Sequence, residues 1–229
     1  MRAAAILPVK RFSDAKRRLL DVLDRPQRAA LVKAMLTDVL RAVTDTDSVE
    51  RVIVVTAEGR AERIALAHAR RVQTPIEVLQ EPADRGHPEA ATLGIIRAKA
   101  LGAQCAALLP GDCPLLDAGE LDAALERIHP GRVAVIPDRH GTGTNALLMA
   151  PPDAIGPAFG PGSRDRHAER AERAGYEVAV EQLDSLSLDV DTPEDLDAMA
   201  AVLNADPVRA PATAAELERL GRIAGRSSN

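Results

Sequence analysis

Cys105-Ala-Ala-Leu-Leu-Pro110-Gly111-Asp112-Cys113-Pro114-Leu115-Leu116 is the stretch whose reading decides the fold. The run from Cys105 to Leu109 carries no charge, is short, and stops on two turn formers. That pattern fits a buried parallel strand better than a helix. In open α/β sheets, ligands bind just beyond the carboxyl ends of the strands. Asp112 would stand there, on a backbone bent by Gly111 and stiffened by Pro114. An aspartate in such a turn can equally cap its own loop, so the rest of the chain has to decide between the two readings.

Outward from this strand, apolar runs and helical patterns alternate. Strands are predicted at 3–9, 51–55, 76–79, 133–136, 146–149 and 176–180, and a last one at 186–191. Helices are predicted from Pro26 to Val43, Glu58 to Ala69, His87 to about Leu101, Asp117 to Ile128, and from the Ser163 region to Ala174. Leu31, Met35 and Val39 recur at helical spacing in the first. Thr192-Pro193-Glu194-Asp195 reads as a helix start, with Thr192 as cap, Pro193 in the first turn and Asp195 bonding back. Strand–helix alternation calls for right-handed crossovers and a mostly parallel sheet. The expected fold is a single Rossmann-like α/β domain over residues 1–204. Residues 205–229, with Pro207, Pro211 and a polar end, are expected to form a partly disordered tail making few core contacts.

Composition narrows the function. The chain has 229 residues, 46% of them hydrophobic but only 1% aromatic (Phe12, Phe159 and Tyr176), so its core must be Ala, Val, Leu and Ile. Platforms for base stacking are nearly lacking. The net charge of −5 comes without a basic block, which argues against a nucleic-acid partner. No apolar run approaches the roughly 20 residues of a membrane span, and none reads as a signal peptide. Two cysteines, Cys105 and Cys113, cannot build a disulfide framework or a four-ligand zinc site. Cytoplasmic location is the expectation.

Three constellations carry chemistry. The first is acidic. On an extended chain, residues two apart share a face roughly 6.5–7 Å apart, so Asp189 and Asp191 would point together from one strand end and Asp112 from another. Thr192 already supplies the helix cap, which leaves both aspartates of the pair without a structural task. Unpaired buried carboxylates are expensive, and such oxygen donors suit one magnesium ion, or two. The second is a pair of glycine loops, Gly141-Thr142-Gly143-Thr144 and Gly160-Pro161-Gly162-Ser163, each suited to cradle an anion on backbone N–H groups. The third is basic: Lys10, Lys16, Arg17 and Arg18 follow the first strand, where phosphate charge would need compensation. His87 and Glu89 open a helix at a strand end and are candidates for ligand contact. His140 is ambiguous, and His68 and His129 read as surface-helix residues; His167, two residues past Asp165 on a helix, could touch a substrate, but that reading is not favoured. Cys113 reads as packing.

The motifs PVK…AKRRL, LPGDCPLL, DRHGTGTNALL, FGPGSRDRH and LDVDTPEDL occur in this order. Together they resemble the guanylyltransferases of coenzyme F-420 biosynthesis that act on phosphoenolpyruvate or 2-phospho-L-lactate, within the molybdenum-cofactor-guanylyltransferase-like nucleotidyltransferases. The resemblance implies GTP and a small phosphorylated carboxylic acid as substrates, and Mg2+ on Asp112, Asp189 and Asp191, two ions when substrates are bound. It implies the acceptor on Thr144, Gly160 and Ser163, and the GTP phosphates near the segment from Lys10 through Lys16 to Arg18. Many members carry a Gly-Leu-Asn-Ala-Ala-like run after the third strand, associated with nucleobase and ribose contacts. Here Gly86-His87-Pro88-Glu89-Ala90-Ala91 stands in its place, making Gly86 and Glu89 the candidate nucleotide contacts. The implied reaction gives enolpyruvyl-diphospho-guanosine and pyrophosphate, with 2-phospho-L-lactate or 3-phosphoglycerate as alternative acceptors. Two other readings are a nucleotidyltransferase using CTP, UTP or ATP, and a catalytically silent nucleotide-binding domain. The retained Asp112, Asp189 and Asp191 speak against silence.

Overall fold

In the computed structural model, which describes residues 2–12, 16–81 and 87–224, the sheet is built outward from β1 (Ala3–Val9), buried along its whole length. β2 (Val49–Thr56) and β3 (Ile76–Gln80) add to one side of it, both parallel. The chain then crosses back, and β4 (Cys105–Leu108) pairs parallel on the other side of β1. β5 (Arg132–Pro137), β6 (Thr144–Ala150) and β7 (Glu177–Val180) complete a sheet of order β3-β2-β1-β4-β6-β5-β7. β6 alone runs antiparallel to its neighbours, β4 and β5. Its first residue, Thr144, therefore lies at the edge where β4 and β5 end.

Strand side chains alternate between two cores. Ala3, Ala5 and Leu7 face one, with α1 (Arg25–Thr44), α2 (Gly59–Ala69), α4 (Ala118–Glu126), α6 (Pro193–Ala205) and α7 (Pro211–Arg219). Ala4 and Ile6 face the other, with α3 (His87–Ala100) and α5 (Ser163–Arg173). The result is one α/β domain of three layers. The helix start predicted at Thr192 is present: Thr192 and Asp195 form a reciprocal capping box ahead of Pro193.

Two expectations fail. Residues 186–191 do not form a strand. A 3₁₀ turn (Asp184–Leu186) precedes an irregular segment whose backbone groups find partners other than a neighbouring strand. The Leu186 carbonyl accepts from Asn145 Nδ2 at 2.7 Å, the Ser187 carbonyl accepts from Arg139 N–H at 3.1 Å, and Asp191 N–H donates to Asp195 at 3.0 Å. The segment past Ala205 also differs from a tail of few contacts. α7 packs on α1, burying Ala210, Ala214 and Leu217. Its N-terminus has no cap of its own and is capped from α1. Buried Asp38 accepts from Ala212 N–H at 3.1 Å and from Thr213 N–H and Oγ1 at 2.7 Å each. Burial pushes the Asp38 carboxyl pKa up against those bonds. Deleting residues 206–229 would strip a buried carboxylate of its donors and uncover Leu217. The expected cost is about 3 kcal/mol or more, read as a melting temperature about 6–12 °C lower. An unchanged melt would show that α7 contributes nothing to the fold.

Candidate active site

The switch in strand order around β1 opens a crevice at the carboxyl ends of β1 and β4, the usual ligand position in such sheets. A cleft of about 420 Å³ lies there, lined among others by Lys10, Asp112, Thr144, Gly160, Ser163, Asp189 and Asp191. Seven residues singled out from the sequence, far apart in the chain, thus share one cavity. Glu89 is exposed on the first turn of α3, and it is its neighbour Pro88 that lines the cleft. Arg17 is exposed in a 3₁₀ turn (Arg17–Leu19), outside the cleft lining. Gly86 lies outside the described residues. A larger hollow, about 780 Å³, sits on the α1 side of residues 11–12, with Glu58 its one carboxylate among the described lining residues. The carboxylates and hydroxyls that could perform chemistry are in the smaller cleft.

Lys16 is the hub of the acidic group. Its ammonium, with a side chain only 3% exposed, donates to Asp112 Oδ2 at 2.5 Å and to Asp191 Oδ1 at 2.8 Å. Burial alone would lower the pKa of that ammonium. Asp112 and Asp191 outweigh it and hold the group above the usual lysine range. Its backbone is left-handed, at φ 57° and ψ 41°, a region that costs a side-chain-bearing residue of order 1–3 kcal/mol. The two ion pairs and the Leu19 N–H bond to the Lys16 carbonyl (3.0 Å) hold it there, with Leu19 itself fully buried. Asp189 is the third carboxylate. Burial first, then Asp112 and Asp191, push its pKa up to about 6, against which Lys16 compensates only in part. Among the described residues, Lys16 is the buried ammonium these three carboxylates share, and Lys10 lines the same cleft. Among the described residues no three metal-binding side chains surround one point as arranged; Lys16 Nζ stands between two of the candidates. Magnesium commonly uses one or two carboxylates, completed by water and phosphate oxygens, and the donor chemistry here suits it.

The two glycine loops divide. In the first, Asp138 takes the amides that were read as a cradle. Its carboxylate accepts from His140, Thr142 and Gly143 N–H at 3.1 Å each. A side chain at Gly143 would collide with that carboxylate. The loop is therefore saturated from within, and what it delivers to the cleft is Thr144. The second loop is only partly filled: the Ser163 N–H donates to the Gly160 carbonyl at 3.0 Å and the Arg164 N–H to the Thr142 carbonyl at 3.2 Å. Gly160 and Gly162 have φ of 112° and 67°, and Gly162 starts α5 with no side-chain cap. Ser163 is fully buried, lines the cleft, and its Oγ has no hydrogen-bond partner. Buried hydroxyls are rarely left unmatched without a reason. An unmatched hydroxyl at the positive end of a helix is suited to an anionic oxygen.

Four further residues shape the site. Asp138 sets the first loop. Arg139 ties that loop to α6 through Asp195 at 2.5 Å, while Asp195 Oδ2 accepts from the N–H groups of Asp191 and Thr192. Asn145 anchors Leu186. His167, for which substrate contact was the less favoured reading, is fully buried against Thr144 and Phe159. Its position four residues after Ser163, on the same helical face, was the available signal. Cys113 packs beneath the cleft; burial, then Asp112 and Asp189, push its thiol pKa well up, so it stays a thiol.

A solved structure described as a nucleotide-diphospho-sugar transferase from Desulfovibrio desulfuricans G20 aligns with a TM-score of 0.74 over 96% of this chain and 95% of that one, at 19% identity. That likeness concerns the fold. Together with the family findings that follow, fold and site define a nucleotidyltransferase. Residues 3–204 match the family model described as guanylyl transferase CofC like, and the chain belongs to that family. A phosphoenolpyruvate guanylyltransferase of Conexibacter woesei is 43% identical over 205 residues, 89% of each chain. A 3-phospho-D-glycerate guanylyltransferase of Phenylobacterium zucineum is 39% identical over 198 residues, covering 84% of this chain and 87% of that one. Among the described residues no helix is long and apolar enough to cross a membrane.

Proposed function

We propose that this enzyme transfers GMP from GTP to phosphoenolpyruvate, releasing pyrophosphate, as a step of coenzyme F-420 biosynthesis. The unmatched Ser163 hydroxyl at the start of α5, in the same cleft as Asp112, Asp189 and Asp191, carries this reading. It offers separate places for an acceptor phosphate and for a triphosphate whose charge must be neutralised. A phosphate oxygen of the acceptor attacks the α-phosphorus of GTP, and the bond from that phosphorus to the β-phosphate oxygen breaks. The attacking oxygen is already ionised at pH 7, so no base is needed, and the balance closes with pyrophosphate. Thr144, Gly160 and Ser163 hold the acceptor; Lys10 and Lys16 meet the GTP phosphates. Asp112, Asp189 and Asp191 would hold magnesium, which would supply positive charge to offset that of the phosphates. Catalysis rests on positioning and charge compensation.

The second acceptor to weigh is 3-phosphoglycerate, favoured by the relative named for it; 2-phospho-L-lactate is the third. Pyrophosphate release should be measured with each acceptor against GTP, CTP, UTP and ATP. The expected result is release with GTP and phosphoenolpyruvate above all other pairs. Preference for another nucleotide, or silence with all three acceptors, overturns the reading. Thr144→Val and Ser163→Ala are each expected to raise the acceptor KM about tenfold, the effect of one lost hydrogen bond to a charged group, with the GTP KM unchanged. A rise in the GTP KM instead would assign these hydroxyls to the nucleotide.

A further inference from the structure

His167 is the one buried histidine among the described residues, and its two ring nitrogens have different partners. Nε2 receives the Ala158 N–H at 2.8 Å. A backbone amide can only donate, so Nε2 must be the unprotonated nitrogen, and in the neutral ring Nδ1 carries the hydrogen. Nδ1 lies 2.9 Å from Thr144 Oγ1 and therefore donates to it. With one lone pair of that hydroxyl taken by the ring, the hydrogen of Thr144 is left to turn into the cleft. The ring stays in this state. Burial, then Arg170 and Arg166, lower its pKa to about 4, and the edge of Phe159 closes over it with ring centroids 5.2 Å apart.

The same ring ties both walls of the acceptor half of the cleft together. Thr144 opens β6, and Ala158 stands just before Phe159, Gly160 and Ser163. Ser163 and His167 are one turn apart on α5 and face the same way. We propose that His167 is a positioning residue for the acceptor. Its fixed Nδ1–H holds the Thr144 hydroxyl as a donor aimed at an anionic oxygen of the acceptor, while its Nε2 fixes the 158–163 loop at the matching distance. This inference rests on the assignment of Thr144 to the acceptor.

Two substitutions separate the nitrogens. His167→Asn keeps an N–H at the Nδ1 position and gives up the acceptor for Ala158. His167→Gln puts an oxygen near the Nε2 position and gives up the donor to Thr144. The measurements are kcat, the KM for phosphoenolpyruvate and for GTP, and the melting temperature of each variant, beside Thr144→Val and the Thr144→Val/His167→Gln double variant. His167→Gln is expected to raise the acceptor KM about tenfold, like Thr144→Val, with the GTP KM unchanged and no further rise in the double variant. His167→Asn is expected to keep the acceptor KM within about threefold of wild type even where its melt is lower, since the Thr144 bond survives. Acceptor KM values that follow the melting temperatures across the variants, or a silent His167→Gln beside an affected Thr144→Val, overturn the positioning role alone. A silent Thr144→Val overturns the acceptor assignment and this inference with it. The wild-type protein supplies an independent check. Among its five histidines, the ¹⁵N signal lost in His167→Asn should report an Nδ1-protonated neutral ring unchanged from pH 5.5 to 8. An Nε2-protonated ring overturns the proposal without any kinetic measurement.

Discussion

Replacing Lys16 with methionine is expected to lower turnover by about 10²–10³-fold, the loss that follows removal of one preorganised donor from developing charge, while leaving the fold intact. The ammonium sits within hydrogen-bond distance of both Asp112 and Asp191, the carboxylates proposed to hold magnesium beside the GTP phosphates. Methionine fills much the same volume without charge. The carboxylates it leaves behind have side chains 34% and 48% exposed, so water can take over much of their solvation. Removing the lysine also removes the one charge of the trio that is almost fully buried. The melt should therefore move little. Arginine should not rescue, because its planar fork cannot occupy a site built around one point charge. Arg17→Met is the control: that side chain is exposed outside the cleft and should retain most turnover. Steady-state rates at saturating GTP decide the matter. Half of wild-type turnover in Lys16→Met would remove Lys16 from the chemistry. A collapsed melt would make it a structural residue.

How much of this was legible in the sequence depends on the range of the interaction. Inner strands such as β4 were visible because a fully buried strand is an unbroken apolar run, and Cys105–Leu108 is one. The start of α6 was visible because its capping box spans four consecutive residues. The orientation of β6 was not visible: a strand's own pattern does not state its direction, and reversal is what carries Thr144 to the edge that lines the cleft. The packing of α7 was hidden because its cap, Asp38, lies 175 residues from Thr213. The supposed strand at 186–191 shows the converse failure. Leu186, Leu188 and Val190 alternate as a strand would, yet side chains of Asn145 and Asp195 take bonds that a ladder would have used. In the site, residue types were readable and pairings were not. The loop basics, the aspartates and the second glycine loop could be named from the sequence. That Lys16 joins Asp112 to Asp191, that Asp138 fills the first glycine loop, and that His167 supports Thr144 are facts of three-dimensional contact.

The pairing makes the three aspartates unequal, and metal-free stability should expose the difference. Asp189→Asn is expected to stabilise the protein in EDTA at pH 7.5, and Asp112→Asn to destabilise it, although both abolish most turnover. Asp189 carries a carboxyl whose pKa rises from the ordinary 3.8 to about 6, by burial and then by its two acidic neighbours. The folded state thus holds a proton more tightly than the unfolded chain. Below about pH 4 both states are protonated and the group costs nothing. As pH rises from about 4 to 6 the unfolded chain releases its proton first, so stability falls through that window and is level above it. At about 1.4 kcal/mol per unit the shift sets an upper bound near 3 kcal/mol; shared among coupled carboxylates, a gain of about 1–2 kcal/mol is expected from the amide. That corresponds to about 2–8 °C, absent at pH 4 and full at pH 7.5. Asp112→Asn has the opposite sign because Lys16 keeps its charge and its burial but loses one of its two counter-ions. Losing a partner of a fully buried pair costs about 3–5 kcal/mol. With Asp112 one-third exposed and Asp191 still in place, about 1–3 kcal/mol is expected. The cost should vanish when Lys16 is already methionine, since no buried cation is then left uncompensated. Melts of Asp112→Asn, Asp189→Asn, Lys16→Met and the Lys16→Met/Asp112→Asn pair, each with EDTA and at both pH values, test the whole scheme. If Asp112→Asn raises the melting temperature as Asp189→Asn does, or loses as much stability beside methionine as beside lysine, then Asp112 is not the counter-ion of Lys16 and the three carboxylates are equivalent after all.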